Sequence, residues 1–322
     1  MKHPTLSLAV LSLSLFMAAC GGHHPRGGPG DPSRDACPGA EAGAKSGAAP
    51  AAEAGRTIAL LTDYGDKDFY VGAIKGSILS RFPEARIVDL THRVTAFNIW
   101  EGAFTLLMAS REFPADTVFV AIVDPGVGTA RKPIVVRTEA GRIFVGPDNG
   151  LFTLVMQECK VKEVREITNR DWMRPGRISA SFHGRDIFGP AAARIASGRP
   201  VAEAGPERKE WVTLPIAPVR LEGTRMGARV IFIDQYGNIQ INAGEDLLGA
   251  IGLKPGDSVR VTVGTSVLTV PWAATYGDVK TGCGLLFTSS TGFMELAVNE
   301  GNAAADTKAA LGGEIFLEKA KP

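Results

Sequence analysis

The chain has little cysteine, no surplus of charge and no apolar run long enough to span a membrane. Four cysteines stand in 322 residues, and only Cys159 and Cys283 fall in the part that carries folding signals. Two isolated cysteines are no disulfide framework, so a pair and two buried thiols both stay open. Lys and Arg number 35 against 34 Asp and Glu, a formal net charge of +1. With no basic run, the electrostatic footprint of a nucleic-acid or anionic-lipid partner is missing, and no nucleic acid is expected. The apolar stretch from Leu6 to Ala19 is shorter than the ~20 residues of a spanning helix. No Gly-x-x-x-x-Gly-Lys loop, no His-x-x-x-His pair in the folded region and no dinucleotide fingerprint after the first strand is present, which removes the usual signatures of phosphate-loop, zinc and dinucleotide chemistry. No metal site and no cofactor are expected, and no internal repeat is visible.

What is there begins with an export signal over residues 1–20. Lys2 and His3 precede the apolar stretch, which ends in Met17-Ala18-Ala19-Cys20. Small residues directly before a cysteine resemble the bacterial lipoprotein cleavage box. That resemblance implies lipidation at Cys20 and a lipid anchor to a membrane, facing the periplasm or the cell exterior; a plain or uncleaved signal is the alternative. Residues 21–56 are Gly, Pro, Ala and charge with almost nothing to bury, and are expected to be a disordered linker. His23 and His24 lack the further ligands that hold a metal tightly.

Residues 57–206 alternate two patterns. Thr57 to Thr62 is a strand candidate; Phe69, Ala73, Ile74, Ser77 and Ile78 fall at helical spacing before Pro83. A strand over 85–90, a helix over about 98–112 and a third strand ending at Asp124 follow. This alternation predicts an α/β domain with a mostly parallel sheet covered on both faces. A hairpin turns through Glu139-Ala140-Gly141, and helices are expected near 151–158 and 187–197. Residues 207–322 differ: 228–233, 258–263, 266–270 and 293–298 are short, β-rich and separated by glycines. They predict an all-β, antiparallel, barrel-like domain.

Ligands of an open parallel sheet bind outside the carboxyl ends of its strands. Asp63 stands at one such end, Asp124 at another, and Asp148-Asn149-Gly150 follows the hairpin. Taken singly, such pairs also form turns. The nonamer Val123-Asp-Pro-Gly-Val-Gly-Thr-Ala-Arg131 swings from a carboxylate through two glycines to a guanidinium. Phe182-His183-Gly184-Arg185-Asp186 adds an imidazole at a helix entrance, where a structural role is the plainer alternative.

Six motifs stand in order: Thr62-Asp63-Tyr64-Gly65, Val123 to Arg131, Pro147 to Gly150, Phe182 to Asp186, Asp234-Gln235-Tyr236-Gly237-Asn238, and Ser289-Ser290-Thr291-Gly292. Together they resemble the S-adenosyl-L-methionine (SAM) hydroxide adenosyltransferase family, relatives of the bacterial fluorinase and chlorinase. The resemblance implies an N-terminal α/β domain, a barrel-like C-terminal domain and a homotrimer with active sites at subunit interfaces. The implied reaction is attack of water on the ribose C5′ of SAM, with SAM as substrate rather than cofactor, releasing adenosine and methionine. Asp124, Arg131 and His183 fall on the family's catalytic trio. Asp63 matches its ribose-diol acceptor, Asp68, Phe69 and Tyr70 its neighbouring substrate loop, and Phe97 an aromatic over the nucleoside. Phe182 is implied to line the reacting carbon, Asp234 to meet the methionine ammonium, and Ser290 and Thr291 its carboxylate. Asn238 with Tyr236, and Val298, Asn299 and Glu300 through their backbone, are implied to frame the adenine.

The trio has independent physical sense. Water becomes a competent nucleophile when a proton is drawn off, help worth ~10²–10⁴-fold. Arg131, always protonated, can pair with Asp124 and stabilise developing hydroxide charge; whether Asp124 or His183 takes the proton is open at this level. The halogenating relatives lack an acid at the place of Asp124. Two unit charges ~4 Å apart repel by about 1 kcal/mol in water and about 4 at an effective dielectric of 20, which disfavours a halide here. Fluorinating members also carry an insertion after the glycine loop, whereas Arg131-Lys132-Pro133 runs straight into the next strand. A halide adenosyltransferase and a non-catalytic nucleoside- or SAM-binding surface lipoprotein remain the alternatives.

Overall fold

The computed structural model describes residues 57–321; the export signal, Cys20 and the linker lie outside the described residues. Of these, residues 57–215 form one compact unit and those from Ile216 another.

The first unit runs β1 (Thr57–Thr62), α1 (Tyr70–Leu79), β2 (Arg86–Thr91), α2 (Ile99–Arg111), β3 (Val118–Ile122), β4 (Pro133–Thr138), β5 (Ile143–Pro147), α3 (Thr153–Glu158), β6 (Val161–Glu166) and α4 (Gly189–Ala196). Its six-stranded sheet has the order β2-β1-β3-β5-β4-β6. The first four are parallel neighbours, and β4 runs against both β5 and β6. This is the mostly parallel sheet that the alternation predicted. Ile58 to Leu61 and Val118 to Ile122 are buried along their whole length, because α1 packs with α4 and α2 with α3 in two layers over the sheet. Right-handed crossovers from β1 to β2 and from β2 to β3 run in opposite directions, which puts their helices on opposite faces.

Local chemistry sets the boundaries. α2 starts where the Asn98 side chain accepts from Glu101 N at 3.1 Å, an N-cap that satisfies an orphan donor. β3 stops at Ile122, two residues short of the expected end at Asp124: Pro125 has no N–H for a ladder, and Val127 N bonds back to Asp124 O at 3.2 Å. The helix expected over 187–197 opens instead as a π-turn, Gly184–Phe188, before α4. Pro190 offers no N–H to the Asp186 carbonyl, which accepts from Arg174 N at 2.8 Å instead. The unpredicted edge strand β6 alternates charges and buries only Val164 fully, too weak a pattern to read.

The second unit contains β7 (Arg220–Glu222), β8 (Arg225–Ile233), β9 (Ile239–Ile241), α5 (Glu245–Ala250), β10 (Ser258–Val263), β11 (Ser266–Pro271), β12 (Gly284–Thr288), β13 (Met294–Val298), α6 (Ala303–Thr307) and β14 (Glu314–Lys319). Strands follow the order β11-β10-β14-β8-β9-β13-β12, with β7 on β8, and every neighbouring pair is antiparallel. A bridge between Trp272 and Leu286 draws the two ends together, so the sheet nearly closes and loses its exposed edges. Inward residues such as Met226, Val261, Leu286, Leu296 and Leu317 fill it.

Cys159 is buried and Cys283 exposed. Among the described residues no helix is long and apolar enough to cross a membrane.

Candidate active site

The chain leaves β1 towards β2 on one side and returns to β3 on the other, so the strand order reverses between β1 and β3. That is where an open α/β sheet opens a crevice. Asp63 follows β1 there and Asp124 follows β3, the two ends tied by Asp63 N donating to Ile122 O at 3.4 Å. Asp63 is half-buried and accepts from Phe97 N at 2.9 Å. Burial, with the charge of Asp124 nearby, pushes its carboxyl above the ordinary value of 3.8.

Arg131 is the centre of the polar cluster in this unit. Its Nε donates to Asp124 Oδ1 at 3.0 Å and its Nη2 to Asp124 Oδ2, a bidentate pair with side chains only 7% and 5% exposed. Nη2 also donates to His183 Nδ1 at 2.8 Å. A guanidinium cannot accept, so Nδ1 must, and the imidazole carries its proton on Nε2. Burial, reinforced by the Arg131 charge, holds His183 below its ordinary value of 6.5 and keeps it neutral. The Phe188 ring lies 5.3 Å from the guanidinium carbon. Arg131 Nη1 is buried and has no hydrogen-bond partner among the described residues.

The loop between Asp124 and Arg131 closes through Thr129, whose N and Oγ1 both donate to Gly126 O. Gly128 sits at φ 78°, and a Cβ there would meet Ala180 O at 2.5 Å, so no other residue fits. Asn149 Nδ2 holds the Val123 carbonyl at 2.8 Å, while Asp148 accepts from Val212 N at 2.8 Å. That motif braces the loop from beneath. Asp186 is likewise internal: fully buried, it accepts from Arg185, Arg174 and Ser179 N.

Beside the loop stands an aromatic wall. Phe69 and Tyr70 have ring centroids 4.6 Å apart, and Tyr70 meets buried Phe182 edge-on at 5.3 Å. Phe69 and Phe97 are 68% and 71% exposed. Phe97 holds φ 67°, a strained state for a residue with a side chain. Asp68 is exposed next to Phe69.

The second unit carries its own cluster. Asp234 Oδ1 accepts from Tyr236 N and Asn238 N, both at 2.9 Å, and Oδ2 from Asn238 Nδ2 at 2.9 Å. Asn238 Nδ2 also donates to the Tyr276 hydroxyl at 3.1 Å. Both its amide hydrogens are therefore engaged, and Oδ1 is the atom it can present. Gly237, at φ 84°, would put a Cβ 2.0 Å from Asn302 Oδ1; this close approach requires glycine. Tyr236 is exposed. Thr291 Oγ1 donates to Gln240 Oε1 at 3.0 Å and lies 2.6 Å from Ser289 Oγ, with Ser290 exposed between them. The Asn299 backbone is already engaged: its N donates to Cys283 O, and its carbonyl accepts from Gly282 N. Val298 O accepts from Gly301 N. Glu300 stands exposed at φ 55°. Among the described residues no group of three or more His, Cys, Asp or Glu is placed to hold a metal.

Two family models match this chain, SAM hydroxide adenosyltransferase N-terminal domain over residues 58–205 and SAM hydroxide adenosyltransferase C-terminal domain over 228–316. The chain belongs to the SAM hydroxide adenosyltransferase family. A relative from Salinispora tropica, named (R)-S-adenosyl-L-methionine hydrolase, is 41% identical over 250 residues, 77% of this chain and 92% of its own. A fluorinase from Actinopolyspora mzabensis is 26% identical over 275 residues, 77% of this chain and 92% of its own. A solved structure of a conserved Thermotoga maritima protein superposes with TM-score 0.78 at 39% identity, covering 81% of this chain and all of that one. This is an enzyme of that family; the first model falls within the first described unit and the second within the second.

Sequence reasoning missed several residues of the site. Phe188 under the guanidinium lay in the helix expected over 187–197, and Tyr64, whose hydroxyl is pushed up by burial and by the Asp63 charge, stood within a motif; neither was given a role of its own. Gln240, Tyr276 and Glu295 carry no motif at all; only the pairing of β9 with β13 brings Gln240 and Glu295 together.

Proposed function

We propose that this protein cleaves SAM to adenosine and L-methionine, with water attacking ribose C5′. The observation that carries the proposal is the bonding of Arg131 to both Asp124 and His183. With Nδ1 engaged and a proton on Nε2, His183 has no free lone pair to act as base, and presents a donor. Asp124 keeps a second lone pair on each oxygen, so it is the group that takes the proton. In this step the water oxygen bonds C5′, a water proton passes to Asp124, and the C5′–S pair leaves on sulfur. A sulfonium departs as a neutral thioether, so no acid is needed there. The unpartnered Nη1 of Arg131 and the His183 Nε2–H are the donors for the developing hydroxide charge. Asp63 serves the ribose diol, the aromatic wall of Phe69, Tyr70, Phe97 and Phe182 the nucleoside and the reacting carbon, and Asp234, Asn238 and Thr291 the rest of the substrate.

A halide is the competing nucleophile, as the fluorinase relative indicates. Arg131 offsets part of the Asp124 charge, but the carboxylate oxygens remain acceptors: they attract the hydrogens of water and repel an anion. Relatives named SAM hydrolase support the same choice. The test incubates the purified full-length chain with SAM in ¹⁸O-water, with and without chloride or fluoride. Label in the adenosine 5′-hydroxyl is expected; a halogenated nucleoside, or binding without turnover, refutes the reading. Assembly as a homotrimer and export with a lipid anchor at Cys20 belong to the same proposal. Native mass of the purified chain and radiolabelled-palmitate incorporation in cells, against a Cys20→Ala control, check them.

A further inference from the structure

Glu295 lies on β13, only 5% exposed, opposite Gln240 of β9 and Phe287 of β12. Its Oε2 accepts from Gln240 Nε2 at 2.8 Å and its Oε1 from the Tyr276 hydroxyl at 3.1 Å. Among the described residues no Lys, Arg or His forms an ion pair with it. Two chains of hydrogen bonds leave this carboxylate. One passes through Tyr276, whose ring rests edge-on against Phe287 at 4.9 Å, to Asn238 and Asp234. The other passes through Gln240 to Thr291 and Ser289. Residues from three separate connections, β8 to β9, β11 to β12 and β12 to β13, are thereby tied to one buried group.

We propose that Glu295 is a positioning residue for substrate recognition, a buried hub that sets the Asp234–Asn238 turn and the Thr291 hydroxyl together. The inference rests on the SAM-cleaving reading, which makes those two arms the substrate contacts of this domain. Its energetics argue against a purely structural role. Burial, with the Asp234 charge adding, pushes the Glu295 carboxyl above its ordinary 4.5, so a charge there opposes folding at neutral pH. A neutral side chain would serve the fold better. What a carboxylate does that an amide cannot is accept on both sides. It thereby directs Gln240 to face Thr291 with its oxygen, and Tyr276 to turn its oxygen to Asn238. Glu295→Gln keeps the volume but sets an NH₂ against one of the two donors. Towards Gln240, it makes that amide turn and present Thr291 with a donor in place of an acceptor; towards Tyr276, it takes away the acceptor of the phenol proton, so one arm is disturbed in either case.

The test compares wild type, Glu295→Gln, Glu295→Ala and the exchange Gln240→Glu with Glu295→Gln, all as full-length chain. KM and kcat for adenosine release, the SAM Kd by calorimetry, and Tm are measured. Both single variants at position 295 are expected to raise KM and Kd about ten- to hundredfold while kcat stays within about threefold. The Tm of Glu295→Gln stays level or rises. In the exchange, the carboxylate at position 240 accepts from Thr291 and from the amide at position 295, whose oxygen takes the Tyr276 proton. KM returns to within about threefold of wild type. Unchanged KM and Kd in the single variants overturn the proposal. So does a joint fall of Tm and kcat that the exchange does not repair. A wild type that binds SAM without turnover refutes the catalytic reading alone, and the Kd series still decides the hub; one that does not bind refutes both.

Discussion

Asp124→Asn separates what the Asp124–Arg131 pair does for the fold from what it does for the reaction. The amide keeps one acceptor for Arg131 Nε but turns an NH₂ towards Nη2, donor against donor. With side chains 5% and 7% exposed, water cannot repair the mismatch. Breaking one side of such a buried pair costs about 3–5 kcal/mol, and at ~2–4 °C per kcal/mol for a domain of this size Tm falls by about 6–20 °C. Loss of the base is a separate effect, ~10²–10⁴-fold in kcat, or about 3–5 kcal/mol of barrier. Differential scanning fluorimetry reads the first, and chromatographic assay of adenosine release well below the new Tm reads the second. Adding Arg131→Met removes the stranded guanidinium, so the double variant recovers most of the lost Tm but none of the activity. Activity within threefold of wild type, or activity that returns with Tm in the double variant, would refute the assignment of Asp124 as base.

His183→Gln offers an acceptor to Arg131 and a donor beyond it, so it is expected to keep at least ~10-fold more activity than Asp124→Asn; the reverse order would make the imidazole the base. Because burial and Arg131 hold His183 below 6.5, kcat/KM is expected to be level above that pH and to fall only below it, as a proton on Nδ1 displaces the Arg131 donor. Stability has the same sign: the unfolded state binds this proton first, so Tm drops as pH falls through the folded value. A pH–rate limb centred above 6.5 would contradict the tautomer. Gly128→Ala forces a Cβ to 2.5 Å from Ala180 O at a φ of 78°; it is expected to cost about 1–3 kcal/mol and to lower kcat more than SAM affinity, checked by Tm and by paired kinetic and calorimetric runs.

Elements with a strong period were legible before any fold was known. β1 and β3 read as strands because they are apolar on both faces, and α2 was expected over about 98–112, close to its observed bounds. β6 was not legible, since its alternating charges cover an edge with a single fully buried residue. The π-turn at Gly184–Phe188 was not either: its cause is the missing N–H of Pro190 together with an Asp186 carbonyl already claimed by Arg174, and the second of these is a tertiary contact. In the site, strand ends marked Asp63 and Asp124, and the family resemblance marked Asp234. Neither told which carboxylates are engaged internally, as those of Asp148 and Asp186 are.

By itself the sequence determined the class of each domain, the order of the six motifs and the identity of Asp124, Arg131 and His183, because period, turn residues and side-chain chemistry are properties of short stretches of chain. Which nitrogen of His183 carries the proton, on which the proposed choice of base rests, was decided only when folding brought Arg131 Nη2 within 2.8 Å of Nδ1. The hub at Glu295 is of the same kind, its partners 55 and 19 residues away. Hydrogen-bond direction depends on which donors and acceptors meet, and distant parts of a chain meet only in the folded state.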